Sequence, residues 1–462
     1  VARVQKNWKG NTLLGGMVTS VNRALDQPYL EDFMVRNAFT AGIDFTQYFK
    51  NRLYYIDVKG MLSSLHGSAG AITALQNSVA HYYQRASSAD YLGVDPTRRS
   101  LTGTGGYVKV GRKGNAKWNF SETFTWSSPG FDLNDMGYMK ETDYLMNETE
   151  IMYRQTDIWK IFRYNAFTLS QKNMWNYGGT PFSNNASLRW QSMTMNRYEW
   201  DVKETFAWNW LDSRLLRGGP DVRFGSYFLT SAKFNTDKAK RMMFMLKYEG
   251  DHNFEGNRFN TISPSLTFRL GNHVYLSGQL DYAWNTDEMQ YVATTSPLSS
   301  SSLAPYYYVM GHMDQKTYGL TLKLQVNVTP DISIQFYGAP FTSIAKYDDF
   351  KLAADTKSHT FENRFQRIDP DQLTYADGVY TIGEGAGQMP FRNPDFRFNE
   401  FRSNLVARWE YLPGSTLYFV WEHRMSNRDN WYSSGWGSNL DRMWGLPATN
   451  TFMIKMNYWF NL

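Results

Sequence analysis

The sequence predicts an all-β fold, a transmembrane antiparallel β-barrel of about 18–20 strands with short periplasmic turns, long extracellular loops and one short loop helix. Three observations predict it. Apolar and polar residues alternate with a period of two through most of the 462 residues. Tight turns at one end of the hairpins are matched by long irregular connections at the other. Aromatic residues make up 17% of the chain, with 31 Tyr, 30 Phe and 16 Trp, although a mean hydropathy of −0.53 marks it as polar. A barrel wall reconciles the two, because rings gather on the lipid side while the lumen stays wet. No stretch approaches the roughly 20 apolar residues that a membrane helix needs.

The strands follow from the alternation. In "TLKLQVNVTPDISIQFYG", Leu322, Leu324, Val326 and Val328 share one face and Lys323, Gln325 and Asn327 the other; Thr329-Pro330-Asp331 turns the chain, and Ile332, Ile334 and Phe336 resume the pattern. In "SPSLTFRLGNHVYLSGQLDYAW", Leu266, Phe268 and Leu270 precede a Gly271-Asn272 turn, and Val274, Leu276 and Leu280 follow it. Further turns are expected near Gly10-Asn11, Lys50-Asn51, Lys113-Gly114-Asn115, Gln155-Thr156, Asn196-Arg197, Thr236-Asp237 and Pro413-Gly414. Long connections are expected over 63–100, 127–142, 170–183, 285–313, 344–399 and 428–448, with extended hairpins as an alternative for 285–313 and 344–399. Turns spaced near forty residues also suit a propeller, but the unequal loops and the lack of a repeated blade motif favour the barrel.

The last strand carries Phe452, Ile454, Met456, Tyr458, Phe460 and Leu462 at alternate positions. Such a strand is expected to close the cylinder against the first and so remove an edge that would template aggregation. Within "GSAGAITALQNSVAHYYQRA", Ile72, Leu75, Val79 and Tyr82 fall at helical spacing, which predicts a helix that plugs the lumen or lies over its mouth. The region 344–399 is the second plug candidate.

Cysteine is absent, and a net charge of +5 comes from 48 basic and 43 acidic residues that are scattered along the chain. Neither a disulfide framework nor nucleic-acid binding is expected. All 462 residues are read as one barrel domain. A count of about nineteen strands is odd, whereas single-chain bacterial barrels have even counts. With neither an initiator Met nor a signal peptide at the start, this predicts that at least one further strand precedes Val1.

Several stretches resemble a known family: "GNTLLGGMVTSVNR" (10–23), "AITALQNSVAHYYQR" (71–85), "SPGFDLNDMGYM" (128–139), "FRSNLVARWEYLPGSTLYFVWEHR" (401–424) and the terminal strand. The family is an uncharacterised group of outer-membrane barrels, mostly from Bacteroidota. Its full-length members carry an amino-terminal domain similar to family-9 carbohydrate-binding modules. The resemblance implies an outer-membrane location, an upstream domain of that kind and a link to glycans. It implies no catalytic residue.

No catalytic, cofactor-binding or metal-binding residues are assigned. The glycines of "GTGGYVKVGRKGN" match no phosphate fingerprint and read as small wall residues or as room for a neighbouring loop. The histidines are dispersed; His252, His312 and His423 share the loop end without metal-ligand spacing. The acids of "RIDPDQLTYADG" and "KYDDF" read as a solvated loop more readily than as a cation site. Two acids interrupt apolar rows. Glu122 lies among Trp118, Phe120, Phe124 and Trp126, and Glu204 among Trp200, Val202, Phe206, Trp208 and Trp210. Each either meets a partner protein or covering loop, or sits near an interface or carries a proton. The expected partners are outer-membrane lipid and lipopolysaccharide, proteins of an envelope complex, and glycan. A channel, a binding platform or a complex subunit is the leading functional class. A membrane-embedded hydrolase and a soluble carbohydrate-active β-protein are the alternatives.

Overall fold

Alternation needs a register before it becomes a wall, and the computed structural model supplies one. It describes all residues except 86–89, 272, 299–305, 430–435 and 461–462. The first ten strands are β1 (Ala2–Trp8), β2 (Thr12–Asn22), β3 (Asn37–Phe49), β4 (Tyr54–His66), β5 (Ser100–Arg112), β6 (Trp118–Ser127), β7 (Tyr144–Gln155), β8 (Phe162–Trp175), β9 (Pro181–Thr194) and β10 (Glu199–Trp208). Six more are β11 (Tyr227–Asn235), β12 (Met242–Asn253), β13 (Arg258–Leu270), β14 (Val274–Thr295), β15 (Tyr307–Asn327) and β16 (Ile332–Ala353). The last three are β17 (Phe396–Leu412), β18 (Ser415–Asp429) and β19 (Ala448–Asn457). They form one sheet in which every strand pairs antiparallel with its neighbours in chain order; the short segment Phe365–Arg367 adds a side pairing to β16. Among the described residues β1 is paired only with β2, and β19 only with β18.

Directly opposed residues in an antiparallel pair share a face, so the register carries rows across the sheet. One row runs Phe268, Leu276, Leu324, Phe336, Leu405, Trp421 and Phe452, and is wholly apolar. On the other face a row runs Asp57, Lys109, Thr123, Glu148, Lys172 and Asn185. One face of the sheet is therefore oily and the other charged, and Lys323 and Gln325 lie opposite in face to Leu322 and Leu324.

The expected turn positions fall in short connections, except that Gln155 is the last residue of β7 and Asn272 lies outside the described residues. At Gly10 (φ 68°) and Gly414 (φ 79°) the backbone is left-handed, which glycine adopts without a steric penalty. The long connections are partly re-drawn. Strands β14 and β15 extend to Thr295 and from Tyr307, so most of 285–313 is an extended hairpin. The expected loop 170–183 shrinks to five residues between Trp175 and Pro181. Its run "SQKN" is polar on both faces, which hid the strand from a reading by alternation. The terminal strand also ends early, at Asn457. Beyond it Trp459 N donates to Ser415 Oγ at 2.9 Å, holding the chain against the β17–β18 turn. Tyr458 and Phe460 are exposed past the strand, and Leu462 lies outside the described residues.

Candidate functional site

The long connections fold onto the charged face at the strand ends away from the short turns. A helix spans Ala69–Gln76, with Ser68 Oγ accepting from Ala71 N at 3.0 Å and donating to Glu31 O at 2.7 Å. This N-cap satisfies an otherwise orphaned amide. Ile72 is 0% exposed, in a cluster with Val35, Ala38, Leu65, Tyr83 and Leu101, and Leu75 packs against that cluster. Gln76 closes the segment by donating to Asp95 O at 2.9 Å and accepting from Asp95 N at 2.8 Å.

The expected apolar stripe is shorter than its spacing suggested. The helix stops at Gln76, Val79 is 62% exposed, and Tyr82 is buried with φ 47° outside the helix. The physical reason is a turn: His81 N and Tyr82 N both bond to Ser78 O, at 3.0 and 2.9 Å, and rotate the chain away from the helix axis.

The glycines of β5 make room for the second segment, 128–143. A Cβ on Gly103 would come within 2.6 Å of the Phe131 Cα, and one on Gly105 within 2.5 Å of the Phe131 ring. Phe131 is buried there, and the next amide, Asp132 N, donates to Ser63 Oγ at 2.9 Å. Asp132 Oδ2 lies 3.0 Å from His81 Nε2, while His81 Nδ1 lies 2.9 Å from Pro129 O. Asp143 is a second hub, accepting from Arg85 at 2.9 Å, Tyr91 Oη at 2.6 Å and Tyr177 N at 3.1 Å. Burial, and then the bond to Asp143, raises the Tyr91 phenol above its ordinary range. Between these groups remains a cavity of about 30 Å³ lined by His81, Arg85, Asp143 and Arg214, room for about one water.

The remaining connections interlock in the same way. Arg364, 1% exposed, forms a two-pronged pair with Glu255 at 3.0 and 2.8 Å and donates to the carbonyls of Arg223, Ser358 and His359. Thr356 Oγ1 donates to Asp221 O at 2.7 Å. A three-stranded sheet over Leu373–Arg392 packs Ile382 and Phe391 against Val309, Phe350 and Leu352. A Cβ on Gly218 would overlap the Gln84 amide, which shows how closely the connection after β10 meets the segment after the helix.

The arrangement offers little chemistry. His81 has a carboxylate partner, but its ring is enclosed, and the hydroxyl beside it belongs to Thr142, 3.3 Å from Nδ1. Ser64 Oγ lies 3.1 Å from His66 Nε2 on the exposed surface, with Thr102 rather than an acid as its other neighbour. His252 stacks on Phe228, His312 faces Glu288, and His423 bonds Asn450, so the three do not converge. In the "KYDDF" stretch Asp349 lies 3.3 Å from Lys351. Of the aromatic-rich outer stretch "NRDNWYSSGWGSN" (427–439), a candidate surface for stacking on sugar rings, residues 430–435 lie outside the described residues.

Both unusual acids sit on the oily face. Glu122 accepts from Thr149 Oγ1 at 2.6 Å and from Asn147 Nδ2, and Glu204 accepts from Thr230 Oγ1 at 2.6 Å. Sequence reasoning missed Asn147, Gln171, Asn173 and Asn184, which the register places on the same face; the only signal was the polar run in β8.

No curated protein matches the chain. Among solved structures, the siderophore receptor PirA from Acinetobacter baumannii is similar at 9% identity and a TM-score of 0.41, over 98% of this chain and 74% of that one. A mutant of the ferric enterobactin receptor PfeA from Pseudomonas aeruginosa is similar at 9% identity and a TM-score of 0.42, over 96% and 72%. Residues 63–462 match the family described as Domain of unknown function (DUF5916), and the chain belongs to that family.

Proposed function

We infer that the sheet is the wall of an outer-membrane β-barrel whose mouth is filled by its own long connections, and that the protein works as a membrane-embedded platform or complex subunit. Support for the membrane comes from the oily face. Trp118 and Trp126, like Trp200 and Trp208, lie eight residues apart on that face. At about 3.3 Å per residue the pairs span roughly 26 Å along the strand, or about 20 Å along the membrane normal at the usual tilt of about 40°, comparable with the apolar band of about 25 Å between aromatic girdles.

The observation that carries the platform reading is the packing of Ile72, Phe131 and Arg364 among connections on the charged face. A channel needs water continuity through that space, and these groups occupy it. Glycan stays among the candidate ligands on the family resemblance. The test is conductance in planar bilayers. The intact protein should pass no steady current, and deletion of 71–85 should open one. A large steady conductance from the intact protein would overturn the platform reading.

A further inference from the structure

The oily face is not oily everywhere. Glu122 lies four residues from both Trp118 and Trp126, and Glu204 four residues from both Trp200 and Trp208. If the aromatic levels mark the two membrane interfaces, each carboxylate sits at mid-depth, where lipid offers it no hydrogen bond. The register sets Thr149 and Gln171 beside Glu122, and Asn147, Asn173 and Asn184 in the next row. Across the sheet, the row Leu270, Val274, Val326, Ile334, Ala407, Phe419 and Ile454 carries no polar side chain. Elsewhere on this face Ser403, His423 and Asn450 form a neutral polar row, so what sets β6 to β10 apart is its pair of carboxylates at mid-depth.

We propose that the β6–β10 sector is a lateral docking surface for a different membrane-embedded protein, one that presents basic or amide side chains at mid-depth to Glu122 and Glu204. The reading rests on the barrel assignment above. Charge complementarity selects the occupant. The two acids are four strand spacings apart, roughly 19 Å at about 4.8 Å each, so the partner must span the whole sector. A second copy of this chain fits poorly. Among the described residues, the cations on its oily face are Lys6, Arg112, Arg258, Lys316, Lys346 and Arg397, all at or beyond the aromatic levels or near strand ends. Thr149, Asn147 and Thr230 hold the carboxylates in place but remain part of the same wall.

A photo-crosslinking amino acid at Gln171, compared with one at Leu276 on the opposite sector, tests this in native cells with the full chain. The probe at 171 should capture a membrane protein through a segment bearing Arg, Lys, Asn or Gln, and Glu122→Gln with Glu204→Gln should lower the yield at least tenfold. The probe at 276 should label lipid. Lipid adducts alone at 171, self-crosslinks, or capture that survives the double substitution would each overturn the proposal. The contrast between 171 and 276 in otherwise unaltered protein stands even if the double variant misfolds. Absence of lipid labelling at both positions would instead overturn the barrel assignment.

Discussion

Gly103→Ala should detach the 128–143 segment while leaving the wall intact. The added methyl would lie 2.6 Å from the Phe131 Cα, against backbone that cannot swing aside like a side chain. The segment must therefore lift by about an ångström or more to reach ordinary contact distances. Lifting exposes Phe131, which costs about 2–3 kcal/mol. It also breaks the 2.9 Å bond from Asp132 N to Ser63 Oγ, worth about 1 kcal/mol. Together these shift the closed-to-open equilibrium by roughly two to three orders of magnitude, since 1.4 kcal/mol is about tenfold. Hydrogen exchange on the intact protein reads this directly: amides of 128–143 should lose protection by about that factor, while β4 to β6 keep theirs. Gly60→Ala is the control, because its Cβ would meet only Ile43 Cγ1 at 3.8 Å. Native protection of 128–143 in Gly103→Ala would refute the reasoning.

Arg364→Leu should strip Glu255 of its buried partner and cost about 3–5 kcal/mol, whereas Arg367→Leu, at a residue whose side chain is 78% exposed, should be near neutral; limited proteolysis of 354–367 separates them. At His312 burial pulls the pKa down, but Glu288, Asp314 and Asp348 outweigh it and raise it above the ordinary 6.5. A raised folded value means that its contribution is present below the unfolded pKa and lost as pH rises through the folded one. Exchange protection around the Glu288–His312 contact should therefore fall as pH rises through the raised His312 value, and His312→Gln should flatten that dependence. Spin labels at 324 and 325 should differ in access to a lipid-soluble quencher, since the register puts them on opposite faces; equal access would contradict the assignment.

Local chemistry made the two-faced sheet legible. Period-two alternation places Leu322 and Lys323 on opposite faces whatever the rest of the chain does, and Gly10 or Thr329-Pro330-Asp331 turns the chain through its own backbone preferences. The same logic exposed Glu122 and Glu204 as misfits, because a misfit is defined against its own strand. It failed in β8, where polar residues on both faces erase the alternation. The cap was illegible for a different reason. Phe131 fits onto Gly103 and Gly105, His81 meets Asp132, and Arg364 reaches Glu255 across 109 residues of chain. Helical spacing at Ile72, Leu75, Val79 and Tyr82 overran the true helix because a turn at Ser78 redirects the chain toward contacts made elsewhere. Only the tertiary structure decided which connections fill the charged face. Their stability comes from partners distant in sequence, and no local pattern encodes which distant partner a buried ring or guanidinium will find.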